Sequence, residues 1–355
     1  MSTSSMSKNT PAKLKVGLIG LGAVADVHLS SYQNSALVEV VAGAEPREDR
    51  LSELSSTYGF RGYRDYRRML DSEKLDIDCV FSLLSPHPNI VTECAEQGCH
   101  VLCEKPIAID LIAAQNMVDI CAERAVKLCY GASYRFLPTL IKARELIQDG
   151  AIGEVLIMSE SVVGGRGPDK VQALSATHYP EGGPGGSGMG LADHGIHLID
   201  TFSWLTGSDI VSVFGRGNIT GQALASEYLH MNFANGGIGQ LLYNQGTFSS
   251  NLPREGTFSA GAEWSASSFT PPGHWQAHPG SIHVNGTKGA LRIFHYANEL
   301  YLIGENDTRK MEVLNQPAPA QFCLQIEAFA QSIITDTPPP SSGEDGLKAL
   351  QILMM

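Results

Sequence analysis

The sequence predicts an α/β Rossmann-type domain on a parallel sheet, followed by an α+β domain with a large, open, mainly antiparallel sheet. Three observations predict this. From Leu14 to about Tyr130, short runs that are apolar on both faces alternate with helix-length segments, the pattern of strands covered on both faces of a parallel sheet. After Gly150 the rhythm changes to strand-like runs separated by turn signals, as in an antiparallel sheet. The length of 355 residues suits two domains.

Residues 1–12 are rich in Ser and Thr and read as a flexible tail. The first domain is placed at 13–132. Its strands are expected at Leu14–Ile19, Leu37–Ala44, Cys79–Leu84, His100–Cys103 and Lys127–Tyr130. Its helices are expected at Val24–Gln33, Arg47–Tyr58, Tyr66–Ser72, Ile90–Gln97 and Leu111–Glu123. The second domain is placed at 133–355. It begins with a helix over Thr139–Asp149, stopped by Gly150. Strands follow at Glu154–Val163, Ile210–Gly215, Glu227–Phe233, Ile238–Tyr243, Ser281–Val284, Ala290–Phe294, Glu299–Ile303 and Lys310–Leu314, with Asn235-Gly236 as a hairpin turn. Gln321–Ile334 and the stretch ending at Met355 read as closing helices. Gly246–Gly280, rich in Ser, Gly, Pro and aromatics, reads as a long functional loop.

Composition narrows the function. Apolar residues make up 43% and charged residues 17%, which excludes disorder for the bulk of the chain. The 25 Lys and Arg stand against 37 Asp and Glu, a formal charge of −12, with no basic cluster. That argues against nucleic acid and anionic lipid as partners. No apolar run reaches the ~18 residues of a membrane span. Seven cysteines, an odd number without a Cys-x-x-Cys pair, lie mostly in apolar stretches. They read as reduced core thiols of a cytoplasmic protein.

Gly20-Leu21-Gly22-Ala23-Val24-Ala25 fits G-x-G-x-x-G/A between a strand and a helix. The first Gly permits the tight turn and the second a close approach to pyrophosphate. Ala25 permits helix–strand packing, and the helix N-terminus favours phosphate. The run Val16–Ala25 also resembles a signal peptide, but cleavage there would remove the first strand. Glu45 ends the second strand, twenty residues after Ala25. A carboxylate there accepts from a ribose 2′-OH and repels a 2′-phosphate, so NAD is expected over NADP. Arg47 is the residue that could serve a phosphate instead; the plainer reading is a solvated side chain.

Two further stretches carry chemistry. Glu104-Lys105-Pro106 follows the strand His100–Cys103, and ligands of open parallel sheets bind beyond the carboxyl ends of strands. Lys105 is therefore placed to reach a substrate; a surface lysine is the alternative. Asp193-His194-Gly195-Ile196-His197-Leu198-Ile199-Asp200 follows the glycine-rich Gly182–Gly190. In a helix Asp193, His197 and Asp200 share one side, and a carboxylate beside an imidazole fixes its tautomer. A satisfied structural histidine is the alternative. No G-x-S-x-G elbow or P-loop occurs. His194, His197, His274 and His278 form no ligand set of known spacing, so no metal is expected.

Together these pieces resemble the Gfo/Idh/MocA oxidoreductases, the family of glucose–fructose oxidoreductase and inositol dehydrogenase. The resemblance runs through Gly20–Ala25 with His28, Glu104-Lys105-Pro106, Tyr134-Arg135-Phe136-Leu137-Pro138, Gly150-Ala151-Ile152-Gly153, Asp193–Asp200 and Glu344-Asp345-Gly346. It implies an NAD(P)-dependent dehydrogenase or reductase acting on a sugar or cyclitol hydroxyl or carbonyl. Lys105, Asp193 and His197 match the catalytic residues: His197 exchanges the hydroxyl proton, Lys105 stabilises the reacting oxygen, and Asp193 orients His197 and binds substrate. Arg135 and His194 join Lys105, Asp193 and His197 in the implied substrate site. Gly20, Gly22, Ala23, Val24, Ala25, Glu45, Arg47, Ser82, Leu83, His87, Glu104 and Lys105 make up the implied cofactor site, with Ser82-Leu83 replacing the usual Thr-Pro. The resemblance also suggests a cis bond before Pro106, and a homodimer or homotetramer closed over the open sheet. Substrate choice falls to the loops Gly164–Pro180 and Gly246–Gly280, with Arg135, Arg166, Arg254, His274 and Trp275 at hand. A non-catalytic dinucleotide-binding sensor or scaffold on the same fold is the alternative function.

Overall fold

The computed structural model describes residues 12–82, 84–165, 190–217, 226–248, 281–317 and 319–355. Nearly all of the tail, Leu83, most of both substrate-choice loops, Arg166, Arg254, His274, Trp275 and His278 lie outside the described residues.

Leu14–Ile19 (β1) is apolar on both faces, and Val16 and Leu18 are fully buried. It is followed by Ala23–Tyr32 (α1), Val38–Ala44 (β2), Glu48–Tyr58 (α2), Arg61–Tyr63 (β3), Tyr66–Ser72 (α3) and Ile77–Val80 (β4). His87–Glu96 (α4), His100–Cys103 (β5), Leu111–Glu123 (α5) and Leu128–Tyr130 (β6) complete the unit. The six strands run parallel in the order β3-β2-β1-β4-β5-β6. The order reverses between β1 and β4, which opens a crevice at the carboxyl ends of these strands. Edge strand β3 was not expected, since Arg61-Gly62-Tyr63 carries no apolar run. Helix α4 starts three residues before its expected start, because Pro88 fits a first helical turn.

Pro138–Gln148 (α6) leads to Val155–Gly165 (β7). After a π-helical turn, Leu191–Gly195, come Ile196–Thr206 (α7), Ile210–Gly217 (β8), Glu227–Phe233 (β9), Ile238–Phe248 (β10), Ile282–Gly286 (β11), Ala290–Phe294 (β12), Glu299–Ile303 (β13) and Thr308–Lys310 (β14). The second sheet has the order β14-β13-β12-β11-β7-β10-β9-β8. Every pair is antiparallel except β7 with β10. The chain between those two strands carries α7, β8 and β9, long enough for the crossover that parallel pairing needs. The last strand lies at Thr308–Lys310 rather than Lys310–Leu314. The Gly304–Asp307 turn sets its register against β13.

Helices α6 and α7 cover one face of this sheet, with Leu140, Phe202 and Leu205 packed among Met158, Leu241 and Ile293. On β9, Leu229, Met231 and Phe233 point into this core, while Tyr228, His230 and Asn232 are only part-buried on the other face. Phe214 on β8 and Leu242 on β10 pair with that second row and are 58% and 39% exposed.

The chain then returns to the first sheet. Ala320–Ile334 (α8) buries Ile326, Phe329 and Ala330 beside Leu18, Ala25 and Leu29. Gly343–Met354 (α9), capped by Ser342 and Asp345, packs Leu347 and Leu350 with Val118, Leu128 and Tyr130. Residues placed in the second domain by sequence thus help build the core of the first. The seven cysteines are unpaired, and six are buried. Among the described residues, no helix is long and apolar enough to cross a membrane.

Asp78 on β4 is fully buried, and its carboxylate has no nitrogen or oxygen donor, only the Cys94 and Cys99 thiols beside it. Burial pushes its pKa up to about 7. An acid raised in the folded state is neutral there at low pH. Its contribution is intact below the unfolded value near 4 and declines as pH rises to about 7, by roughly 4 kcal/mol in all. Asp78→Asn removes that ionisation. The variant's melting temperature minus that of wild type is expected to rise from pH 4 to pH 7 and then level. A difference independent of pH would show that Asp78 stays ionised.

Candidate active site

Gly20, at φ +89°, makes the turn out of β1, and a Cβ there would lie 2.7 Å from Ser82 backbone. Only glycine lets the β1 and β4 loops approach this closely. Gly22 precedes α1, whose first turn has no side-chain cap, and a Cβ on Gly22 would meet nothing within 4 Å. The start of α1, with Ala23 and Val24, therefore combines uncapped backbone with open space, the cradle a pyrophosphate requires. Ala25 is buried against the sheet. Arg50, which the sequence did not single out, ties this loop down. Its Nε donates to Leu21 O at 2.9 Å and its Nη2 to Gly22 O at 3.3 Å, with Asp26 paired to the same guanidinium.

Glu45 Oε2 accepts from Leu21 N–H at 3.0 Å, so the acidic residue joins the glycine loop directly. Oε1 accepts from Arg47 Nε at 2.8 Å. Burial opposes its charge, but hydrogen bonds from Arg47 and Leu21 outweigh that and hold its pKa below the usual range. Arg47 is thus engaged in an ion pair, though mostly exposed.

Glu104 turns inward. Its Oε1 lies 3.2 Å from Nε2 of the fully buried His28, and its Oε2 accepts from Lys105 N–H at 2.9 Å. It fixes the backbone that carries Lys105 rather than reaching into the crevice. The Lys105–Pro106 bond is cis. His87 is also buried, with Nε2 3.1 Å from Ser82 O and Nδ1 3.4 Å from Ile107 O. It pins the loop of Ser82 from below; the sequence had placed it beside the cofactor.

Lys105 crosses to the second domain. Its Nζ lies 2.6 Å from Asp193 Oδ1 and 2.9 Å from Asp193 O. The sequence places Asp193 beside His197 on one α-helical face. The turn is π-helical instead, with Gly195 N–H donating to Gly190 O at 3.1 Å. This alters the four-residue stacking, and Asp193 meets Lys105 as its ion-pair partner.

His197 is 5% exposed, and its ring stacks on Tyr134 with centroids 4.3 Å apart at 13°. Its Nε2 is buried without a hydrogen-bond partner. Burial, then the charges of Lys105, His194 and His295, push its pKa well below the usual value. The imidazole is therefore neutral at pH 7, and its Nε2 is not committed to a hydrogen bond within the protein.

Arg135 and His194, expected at the substrate, make their contacts inside the protein. Arg135 is clamped: its Nε donates to Asp200 Oδ2 at 2.8 Å, Nη2 to Asp200 Oδ1 at 2.5 Å and Nη1 to Asp345 Oδ2 at 3.1 Å. It joins α7 to α9, and Asp200 serves Arg135 rather than His197. His194 is 2% exposed, with Nε2 2.8 Å from Glu160 Oε2 and Nδ1 3.3 Å from Tyr134 Oη. Their polar groups are spent inside the protein. Sequence reading missed Tyr134 as the bed of His197, although it stands in the Tyr134–Pro138 motif.

Known proteins share this fold. Residues 14–132 match the oxidoreductase family with an NAD-binding Rossmann fold, and residues 140–292 match the GFO/IDH/MocA C-terminal domain. The chain is similar to the myo-inositol 2-dehydrogenase of Thermotoga maritima, 22% identical over 95% of this chain and 93% of that one. It is 30% identical to the D-glucoside 3-dehydrogenase of Escherichia coli over 57% of this chain and 56% of that one. The solved aldose-aldose oxidoreductase of Caulobacter crescentus superposes with a TM-score of 0.77 at 22% identity, covering 97% of this chain and 96% of that one. With both halves matched in order and the glycine loop, Lys105 and His197 in place, the chain belongs to the Gfo/Idh/MocA oxidoreductase family.

Proposed function

We propose that this oxidoreductase oxidises a secondary hydroxyl of a sugar or cyclitol, or reduces the matching carbonyl, with NAD. The observation that carries the reading is the neutral, buried His197 with an unpartnered Nε2, in the field of the Lys105 ammonium held by Asp193. The names of the inositol and glucoside dehydrogenases support the substrate class.

Bound NAD supplies the hydride acceptor, its nicotinamide ring. The chain's own residues handle the proton and the charge. Nε2 of His197 accepts the hydroxyl proton. The Lys105 ammonium donates to the same oxygen and stabilises the negative charge that develops there. Asp193 holds that ammonium in position. Tyr134 fixes the plane of the imidazole, and burial keeps it unprotonated. In the reverse direction His197 returns the proton to the carbonyl oxygen.

Nicotinamide absorbance followed over cyclitols, aldoses, keto-sugars and sugar phosphates, with both cofactors, tests the reading. Turnover on at least one polyol is expected, with the higher kcat/KM for NAD because a carboxylate at the end of β2 repels a 2′-phosphate. Better kcat/KM with NADP would show that Glu45 and Arg47 serve the other cofactor. NAD binding without turnover on any of these compounds would favour a sensor or scaffold.

A homodimer or homotetramer closed over the second sheet belongs to the same reading. Phe214, Leu242 and Tyr228 leave apolar surface on the face that α6 and α7 do not cover. Light scattering at micromolar concentration is expected to report a mass of at least twice 38.1 kDa, and a monomer would overturn the assembly. Free, mostly buried thiols support a reducing, cytoplasmic location.

A further inference from the structure

We propose that Glu160, His194 and His295 form a structural site for one divalent transition metal, with zinc the ion their donors suit best. The three residues come from β7, from the π-helical turn and from the turn that follows β12. Their distance in the sequence hides them from any spacing rule. In the fold, one donor atom of each lies within 4.8 Å of the other two.

Hydrogen bonding leaves this cluster incomplete. Glu160 Oε1 and Nε2 of His295 are buried and have no hydrogen-bond partner. The side chains of Glu160 and His295 are fully buried, with His295 Nε2 3.6 Å from Glu160 Oε1. That separation is too long for a hydrogen bond. It is close to the ~3.3 Å that separates two donors each ~2.0–2.1 Å from a tetrahedral zinc. The pair is thus spaced as two ligands of one ion. His194 Nε2, 2.8 Å from Glu160 Oε2, supplies the third donor. Two imidazoles and one carboxylate make a set that favours zinc over magnesium or calcium.

The surroundings complete the assignment. Nδ1 of His194 faces the hydroxyls of Tyr134 and Tyr296 at 3.3 and 3.4 Å, so a metal would take Nε2 in exchange for its hydrogen bond with Glu160 Oε2. The Tyr243 hydroxyl donates to Glu160 Oε2 at 2.8 Å and orients the carboxylate. Supporting contacts of this kind are what a metal site needs around its ligands. Among the described residues, the ion-pair partners of Glu160 are the two histidines, so a buried carboxylate here has no lysine or arginine to balance it. A cation would supply that balance. The three donors are buried, so the role of the ion is to stiffen the bed of His197. Tyr134 hydrogen-bonds with His194 on one side and stacks under His197 on the other.

The test uses the full chain. Protein produced with added zinc and then desalted is expected to carry about one zinc per chain by elemental analysis. Metal-free protein titrated with cobalt(II) is expected to develop visible absorption from nitrogen and oxygen ligands, without the near-ultraviolet band of cobalt–thiolate bonds. His295→Ala and the isosteric Glu160→Gln, each shown to be folded by circular dichroism, are expected to lose both signals. Wild-type protein with no zinc and no cobalt spectrum would overturn the proposal, whatever the variants do. So would a thiolate band, which would move the metal to the cysteines, or full binding by folded His295→Ala.

Discussion

Replacing His197 by alanine is expected to lower kcat by roughly 10²–10⁴-fold, the range for loss of a positioned general base. Binding of NADH, followed by nicotinamide fluorescence, is expected to stay close to wild type, because the glycine loop, Glu45 and Arg50 are untouched. The competing role is structural: His197 is 5% exposed and stacked on Tyr134. A structural histidine predicts a lower melting temperature with normal turnover of the folded fraction. Measuring kcat and melting temperature on one preparation separates the two. Near-normal turnover in folded His197→Ala would remove it from the mechanism.

The pH profile supplies a second readout. The base is the neutral imidazole, so oxidation fails when His197 gains a proton. Burial, then the Lys105 charge, holds its pKa well below 6.5. The acid limb of kcat/KM for oxidation is therefore expected below pH 6.5. Reduction needs the protonated ring and is expected to gain as pH falls through the same region. An acid limb at or above 6.5 for oxidation would show that another group controls the profile.

Much of this was legible in the sequence because it depends on local pattern. Gly20–Ala25 announces a strand, a turn and a helix within a few residues, and Glu45 ends the next strand. The structure places them on one loop, through Leu21 N–H and Glu45 Oε2. Lys105 was legible because it follows an apolar strand of four residues. The partners of these groups were not legible. Whether Arg135 meets a substrate or Asp200 depends on how the 3₁₀ turn Ser133–Phe136 sits against α7 and α9, and no local spacing encodes that. Asp193 was read on an α-helical period, and one π-helical turn redirected it to Lys105. The parallel pairing of β7 with β10 inside the mainly antiparallel sheet is not legible either, since alternation reports which face is buried and is silent on strand direction.

Lys105→Met is expected to lower kcat by roughly 10²–10³-fold, the cost of removing one charged donor from the reacting oxygen. Methionine keeps the length and apolar stem, so the loss belongs to the ammonium. The same substitution has a second effect of definite sign. The Lys105 charge ranks after burial among the causes that depress the His197 pKa. Without it, the acid limb of the oxidation profile is expected to move up, toward 6.5. Asp193→Asn works in the opposite direction. It leaves the ammonium in place but takes away the carboxylate 2.6 Å from it, so the charge acting on His197 is less compensated. The acid limb is then expected to move down, and kcat to fall less than in Lys105→Met, with a rise in KM if Asp193 also holds substrate hydroxyls. Opposite shifts from two residues that form one ion pair follow only if Lys105 acts on His197 through its charge. A surface lysine that merely tethers the domains predicts a lower melting temperature, an unchanged limb and near-normal kcat. If both variants leave the limb where it is, Lys105 has no electrostatic hold on the base, and the assignment of Lys105 and His197 to one site is wrong.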